Sequence, residues 1–317
     1  MIMQIALMVL GFLVLSKSAD EALKRLVSLS RHFGITEFAI SFIVVGIVST
    51  FPEMSIGLNS ALDGFPSLGL GVIFGSNVAD LTLVIGMVAL MGGGIRLRHP
   101  IIEETKWILL AVALPVLLLL DGEITRTDGA ILLAAFAIYV YMLLRHGATG
   151  DRTKIKVNVH LAKEIATTLL CVAAIILSGM VISDSAEQIS VGAGVPLFFI
   201  GTIIAIGTCM PELIFAVNAA THHHGDLSVG DILGNVLADC MGALGLIALV
   251  QPIKPAYPQL AILSGSLAVL SMLLLLVVFR VNGQVGKKEG LALVLLYVIF
   301  LAVQTFAEGI VTASPAA

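Results

Sequence analysis

Two short motifs are each written twice in this chain. Val48-Ser-Thr-Phe-Pro-Glu53 and Gly75-Ser-Asn-Val-Ala-Asp80 return as Gly207-Thr-Cys-Met-Pro-Glu212 and Gly234-Asn-Val-Leu-Ala-Asp239, always 159 residues later. The register is unbroken at Pro52/Pro211, Glu53/Glu212, Asn59/Asn218, Ala61/Ala220, Gly71/Gly230, Gly75/Gly234, Asp80/Asp239 and Gly86/Gly245. A duplicated unit therefore dictates the fold, which must seat both copies in one molecule. All four carboxylates of the motifs lie within apolar sequence, where an ionisable group is costly and marks a function.

Hydrophobic residues make up 58% of the chain and charged residues 12%, with a mean hydropathy of +1.07, so the surface cannot be wet throughout. The chain reads as an all-α integral membrane protein. Its apolar runs are long enough for spanning helices of roughly 20 residues. Ten runs are centred near Leu10, Val48, Leu81, Leu110, Ala135, Ala174, Ile206, Leu244, Ala268 and Val298. The shorter alternating segments of a β-barrel are absent. Five runs precede the polar stretch Arg145 to His160 and five follow it. The expected organisation is a first five-helix repeat at 1–146, a cytoplasmic linker at 147–160 and a second five-helix repeat at 161–317. An odd number of crossings per copy sets helix 2 against helix 7 and helix 3 against helix 8. The repeats are thus inverted, an arrangement that places a shared site near the bilayer midplane.

Basic residues test this layout, because cytoplasmic loops carry the excess of Lys and Arg. Lys24, Arg25, Arg31, Arg96, Arg98, Lys106, Arg145, Arg152, Lys154, Lys156, Lys163, Arg280, Lys287 and Lys288 fall in or beside the connections after helices 1, 3, 5 and 9. Arg126 and Lys254 fall on the other side. Both termini are then external, as expected of a protein in a prokaryotic plasma membrane. The first basic residue, Lys17, follows the N-terminal apolar run instead of leading it, so helix 1 is expected to be retained. A net charge of -4 gives no reason to expect nucleic acid, and no protein partner is predicted beyond the lipid bilayer and inorganic cations. Cys171, Cys209 and Cys240 have no metal-ligand spacing and read as small buried residues.

Pro52 and Pro211 lie inside helical stretches, where each proline removes a donor and frees a carbonyl about four residues earlier, near Val48 and Gly207. Lining a cavity, such oxygens are ligands for a cation. Glu53 and Glu212 follow directly, about one turn from those oxygens. In the second motif, Gly75-Ser76 and Gly234-Asn235 allow close helix approach, and Asp80 and Asp239 follow about one turn on. Ser49, Thr50, Thr208, Ser76, Asn77 and Asn235 add neutral oxygens. Calcium takes roughly six to eight oxygen ligands, and this inventory suits it.

These residues resemble the cation/Ca2+ antiporter superfamily, specifically its sodium/calcium exchanger branch of prokaryotic type. Its two repeats carry a Gly-Thr-Ser-Leu-Pro-Glu motif and a Gly-Ser-Asn-Ile-Ala-Asp-like motif. The likeness extends over all ten helices and is sharpest at residues 46–86 and 205–245. The resemblance implies that Glu53 and Glu212 are the central Ca2+ ligands, with carbonyls at Ser49 and Thr208. It puts Thr50, Ser76, Asp80, Cys209, Asn235 and Asp239 at flanking sodium positions. It also implies that helices 1 and 6 slide across the other eight, and that three sodium ions exchange for one Ca2+. No cofactor or catalytic residue is implied. Four departures stand out: Val48-Ser49-Thr50 for Gly-Thr-Ser, Cys209 for a serine, Asn235-Val236 for Ser-Asn, and Asp80 where asparagine is commoner.

Two carboxylates about 5 Å apart repel by roughly 3 kcal/mol at an effective dielectric of about 20, so four need cations or protons. Asp80 and Asp239 are expected to behave as a coupled pair that takes a proton or an extra monovalent ion. The alternative function is therefore H+/Ca2+ exchange. An ion channel and an intramembrane aspartyl protease are the more distant readings, the latter because two buried aspartates can activate water. Hydrolysis has no need of the Pro-Glu pairs. His222-His223-His224 reads as a short solvated loop, Asp226 and Asp231 as acids favouring the N-terminal end of helix 8. Lys17, Asp20, Glu21, Lys24 and Arg25 read as the cytoplasmic end of helix 1.

Overall fold

The computed structural model describes residues 2–32, 46–96, 99–147, 161–221 and 225–313. The His222–His224 run and the linker beyond Gly147 lie outside them. Among the described residues, ten helices follow in order: α1 (Ile2–His32), α2 (α2a Gly46–Ser49 and α2b Phe51–Leu62), α3 (α3a Ser67–Ala79 and α3b Ile85–Met91), α4 (His99–Leu118) and α5 (Arg126–Gly147). The second half gives α6 (Leu161–Ala193), α7 (α7a Leu197–Thr208 and α7b Met210–Thr221), α8 (α8a Gly225–Leu237 and α8b Leu244–Val250), α9 (Pro258–Asn282) and α10 (Lys287–Ala313). Among the described residues, α1, α3, α6, α7, α8, α9 and α10 are each long and apolar enough to cross a membrane.

Burial sorts the helices by role. In the apolar stretches of α3 and α8, 89% of residues are buried, against 17% in α1 and 22% in α6. The motif-bearing α3 and α8 are therefore the centre, while α1 and α6 face outward together. They are tied to each other at both ends, by Gln4 Nε2 donating to Gln188 Oε1 at 2.9 Å and by Arg25 to Glu164 at 3.0 Å.

The inversion is visible in matched contacts. Helix α3b packs on α10 and α8b on α5. A Cβ on Gly86 would meet the Gly290 carbonyl at 2.8 Å, and one on Gly129 would meet the Gly245 carbonyl at the same distance. Short antiparallel clasps join the halves. Strand β1 (Ile95–Arg96) pairs with β2 (Gln284–Val285), linking the α3–α4 and α9–α10 connections. Ile124 pairs with Ile253, linking the α4–α5 and α8–α9 connections. Because one clasp follows odd-numbered helices and the other even-numbered ones, they lie on opposite faces.

Glycine draws α7a against α3a. A Cβ on Gly71 would overlap the Phe198 carbonyl, and one on Gly75 would lie 2.8 Å from Ala205 Cβ and 2.9 Å from Thr202 Cα. Helix α6 is held against α2b by polar contacts, Ser55 Oγ donating to the Ile175 carbonyl at 2.9 Å and Asn59 Nδ2 to that of Ile176 at 3.3 Å. The opposite half does not match. Ser55 is 6% exposed, whereas its counterpart Ile214 on α7b is 68% exposed.

Candidate ion-binding site

Helices 2 and 7 break close to their prolines. The interruptions fall at Thr50 and Cys209, each followed by a new helix with its proline in the first turn, where a missing N–H costs no hydrogen bond. Thr50 and Cys209 start the new ladders, their carbonyls accepting from Met54 at 2.9 Å and Leu213 at 3.0 Å. Ser49 and Thr208 are the last residues of α2a and α7a and adjoin Val48 and Gly207, whose carbonyls lose their usual donors to the prolines. Glu53 and Glu212 then occupy the first turns of α2b and α7b.

Helices 3 and 8 are distorted at their aspartates. A π-helical turn spans Asp80–Val84 in α3 and Ala238–Ala243 in α8. Each inserts the widened turn next to a carboxylate, a local geometry common at functional sites.

The site residues come together across the repeat boundary. Ser76 Oγ on α3 lies 3.0 Å from Asp239 Oδ2 on α8 and donates to it, and Asn235 Nδ2 on α8 donates to Asp80 Oδ2 on α3 at the same distance. Ser76 and Asn235 are counterparts in the duplication, so each repeat supplies the donor for the other's aspartate. Thr50 Oγ1 donates to Asn235 Oδ1 at 2.9 Å, which fixes the amide with its N–H toward Asp80. Cys209 Sγ reaches the Ser76 carbonyl at 3.8 Å. Glu53 lies within range of the charges of Asp80, Asp239 and Glu212. The four carboxylates are thus set around Glu53 on four interrupted helices, although among the described residues no three acidic, His or Cys side chains converge closely enough to hold a metal ion as they stand.

They are also short of partners. Glu53 and the two aspartates are wholly buried and Glu212 is 6% exposed. Neither oxygen of Glu53 has a hydrogen-bond partner, nor do Glu212 Oε2, Asp80 Oδ1 and Asp239 Oδ1. Such oxygens are costly in a low-dielectric interior, and a bound cation would satisfy them. Thr208 Oγ1 donates to the Ala205 carbonyl of its own helix at 3.2 Å and also lies beside the Glu53 carboxylate. Asn77 Nδ2 donates to Cys240 Sγ at 3.1 Å, leaving its Oδ1 unpaired.

One participant was misread from the sequence. Asp231 does not serve the N-terminal end of helix 8, because α8a begins at Gly225 and carries it inward to 2% exposure. Ser49 Oγ donates to its Oδ1 at 3.3 Å. A cavity of about 40 Å³ brings Asp231, Glu212 and Ser49 together with Asp20 of α1. A cavity of about 800 Å³ on the other face, between the α2–α3, α6–α7 and α8–α9 connections, is lined by none of the four carboxylates.

Comparison with known proteins matches both halves. The profile of the family described as "Sodium/calcium exchanger protein" fits residues 3–145 and 163–306. The sodium/calcium exchanger MaX1 of Methanosarcina acetivorans is 22% identical over 341 aligned residues, covering 94% of this chain and 97% of its own. Solved structures of the sodium-calcium exchanger NCX_Mj superpose with a TM-score of 0.70 at 23% identity, covering 95% of this chain and 98% of theirs. The H+/Ca2+ exchanger CAX superposes with a TM-score of 0.79 at 17% identity, covering 97% of this chain and 85% of its own. At these identities the two structures establish the shared fold.

Proposed function

The chain belongs to the sodium/calcium exchanger protein family, and from that premise we propose that it is a membrane antiporter carrying Ca2+ one way and Na+ the other. Both ions use a single cage, reached alternately from the two faces. The carrying observation is the set of buried, unpartnered carboxylate oxygens on Glu53, Glu212, Asp80 and Asp239.

Glu53 and Glu212, with the carbonyls of Ser49 and Thr208, are assigned to Ca2+. Thr50, Ser76, Asp80, Asn235 and Asp239 are assigned to the monovalent ions, Cys209 offering sulfur where an oxygen would bind better. Coupling follows from charge. When Ca2+ departs, the emptied carboxylates cannot cross a dry barrier until monovalent cations neutralise them. Access is set by α1 and α6. The contacts of α6 with α2b close one side, while the Asp20–Glu212 cavity leaves the other open. With the basic connections cytoplasmic, that open side faces the cytoplasm.

The test is radiolabelled Ca2+ uptake into proteoliposomes under a sodium gradient or a pH gradient imposed separately. The sodium gradient is expected to drive uptake, and Glu53→Gln and Glu212→Gln each to abolish it. Uptake that persists unchanged in both variants would end this reading. H+/Ca2+ exchange is the second reading, favoured by the carboxylate at Asp80 and the thiol at Cys209. Under it the pH gradient alone drives uptake, and Asp80→Asn removes that response.

A further inference from the structure

Asp231 is a fifth buried acid with no part in the cage described so far. It lies one turn before Asn235 on α8a, held by the Ser49 hydroxyl at 3.3 Å. Among the described residues no lysine or arginine pairs with it. Its counterpart in the first repeat is Val72, packed in an apolar cluster. The added acid therefore breaks the symmetry of the molecule on one side only. That is the side on which α1 and α7b leave a cavity, bounded by Asp231, Glu212, Ser49 and Asp20. Glu212, which also serves the cage, lines this cavity while 6% exposed, and its Oε2 has no partner.

We propose that Asp231 and Glu212, with the Ser49 hydroxyl oxygen, form a second cation site outward of the cage, holding a partly hydrated Ca2+ in transit. The inference rests on the exchange reading and extends it. About 40 Å³ admits an ion with roughly one water, and two carboxylates with a hydroxyl are hard oxygen donors. Glu212 belongs to both sites. An ion moving inward exchanges Asp231 for Glu53 while keeping Glu212, so it is never without a carboxylate on either side. The first repeat, with Val72 in place of the acid, gives the opposite face no such step.

The experiment compares everted and right-side-out membrane vesicles by radiolabelled Ca2+ transport. Asp231→Asn is expected to raise the apparent KM for Ca2+ about tenfold at the face bearing the α1–α2 connection, and to change it less than about twofold at the other. Asp231→Glu should restore most of the loss. An equal rise at both faces, a rise confined to the other face, or no rise at all overturns the site. Should Asp231→Asn fail to reach the membrane, Ser49→Ala is read by the same one-sided KM criterion. Wild-type vesicles that carry no Ca2+ would refute the exchange reading and this site together. Wild-type transport with a face-independent Asp231→Asn effect would refute the site alone.

Discussion

Asn235 donates its amide N–H to Asp80 at 3.0 Å, from the second repeat to the first, while Thr50 holds the other end of the same amide. The bond gives Asp80 a fixed orientation at the widened turn of α3. Losing a donor to a buried charged group costs about 1–3 kcal/mol, or roughly five- to 150-fold in an equilibrium. Asn235→Ala is therefore expected to weaken the monovalent-ion dependence of Ca2+ efflux about tenfold and to alter the Ca2+ dependence much less. Titration of efflux against Na+ at fixed Ca2+ reads both.

Cation removal should act on stability through Glu53. In cation-free detergent its oxygens are buried without partners, so Glu53→Gln should melt above the wild type. Addition of Ca2+ at about 100 times Kd stabilises a binding-competent protein by about 2.7 kcal/mol. Wild type should show that rise in Tm and Glu53→Gln should lose it. A Ca2+ titration of thermal unfolding measures the crossover.

The approach of α3a to α7a leaves no room for side chains. Gly71→Ala would drive a methyl into the Phe198 carbonyl, with an expected cost of about 1–3 kcal/mol or more from overpacking. Gly192→Ala, near the end of α6 with nothing within 4 Å, should be close to neutral. Yield and Tm of the two variants, purified side by side, separate the cases.

Under the proposed alternating access, reorientation is expected to break the polar contacts between α6 and α2b. An Asn59→Cys, Ile176→Cys double variant places thiols on the two helices where Asn59 already reaches the Ile176 carbonyl. Oxidation, or a short bifunctional crosslinker, should arrest exchange, and reduction of the disulfide should restore it. Arrest without recovery, or full activity with the crosslink formed, would count against movement at this contact.

The sequence made the cage legible where its chemistry is local. Pro52-Glu53 and Pro211-Glu212 announce a helix interruption beside a carboxylate, and the 159-residue offset pairs Asp80 with Asp239. The prolines are accommodated by starting new helices at Phe51 and Met210, which a proline permits as readily as a kink. The π turns had no signal, since Asp80-Leu-Thr-Leu-Val84 reads as ordinary apolar helix. Asp231 was misassigned for a related reason. Its partner Ser49 is 182 positions away, and only the fold shows the two acids meeting in one cavity.

The clasps at Ile95–Val285 and Ile124–Ile253 engage only the connections of α3, α4, α5, α8, α9 and α10. Pinned on opposite faces, these six helices form a stator that resists shear between the halves. Helices α1 and α6 are coupled to each other through Arg25–Glu164 and Gln4–Gln188 and lie outside both pins, so under the proposed exchange they are free to travel as one piece. The stroke would then be spent at their surface, while the pinned helices that carry Asp80 and Asp239 keep their shape.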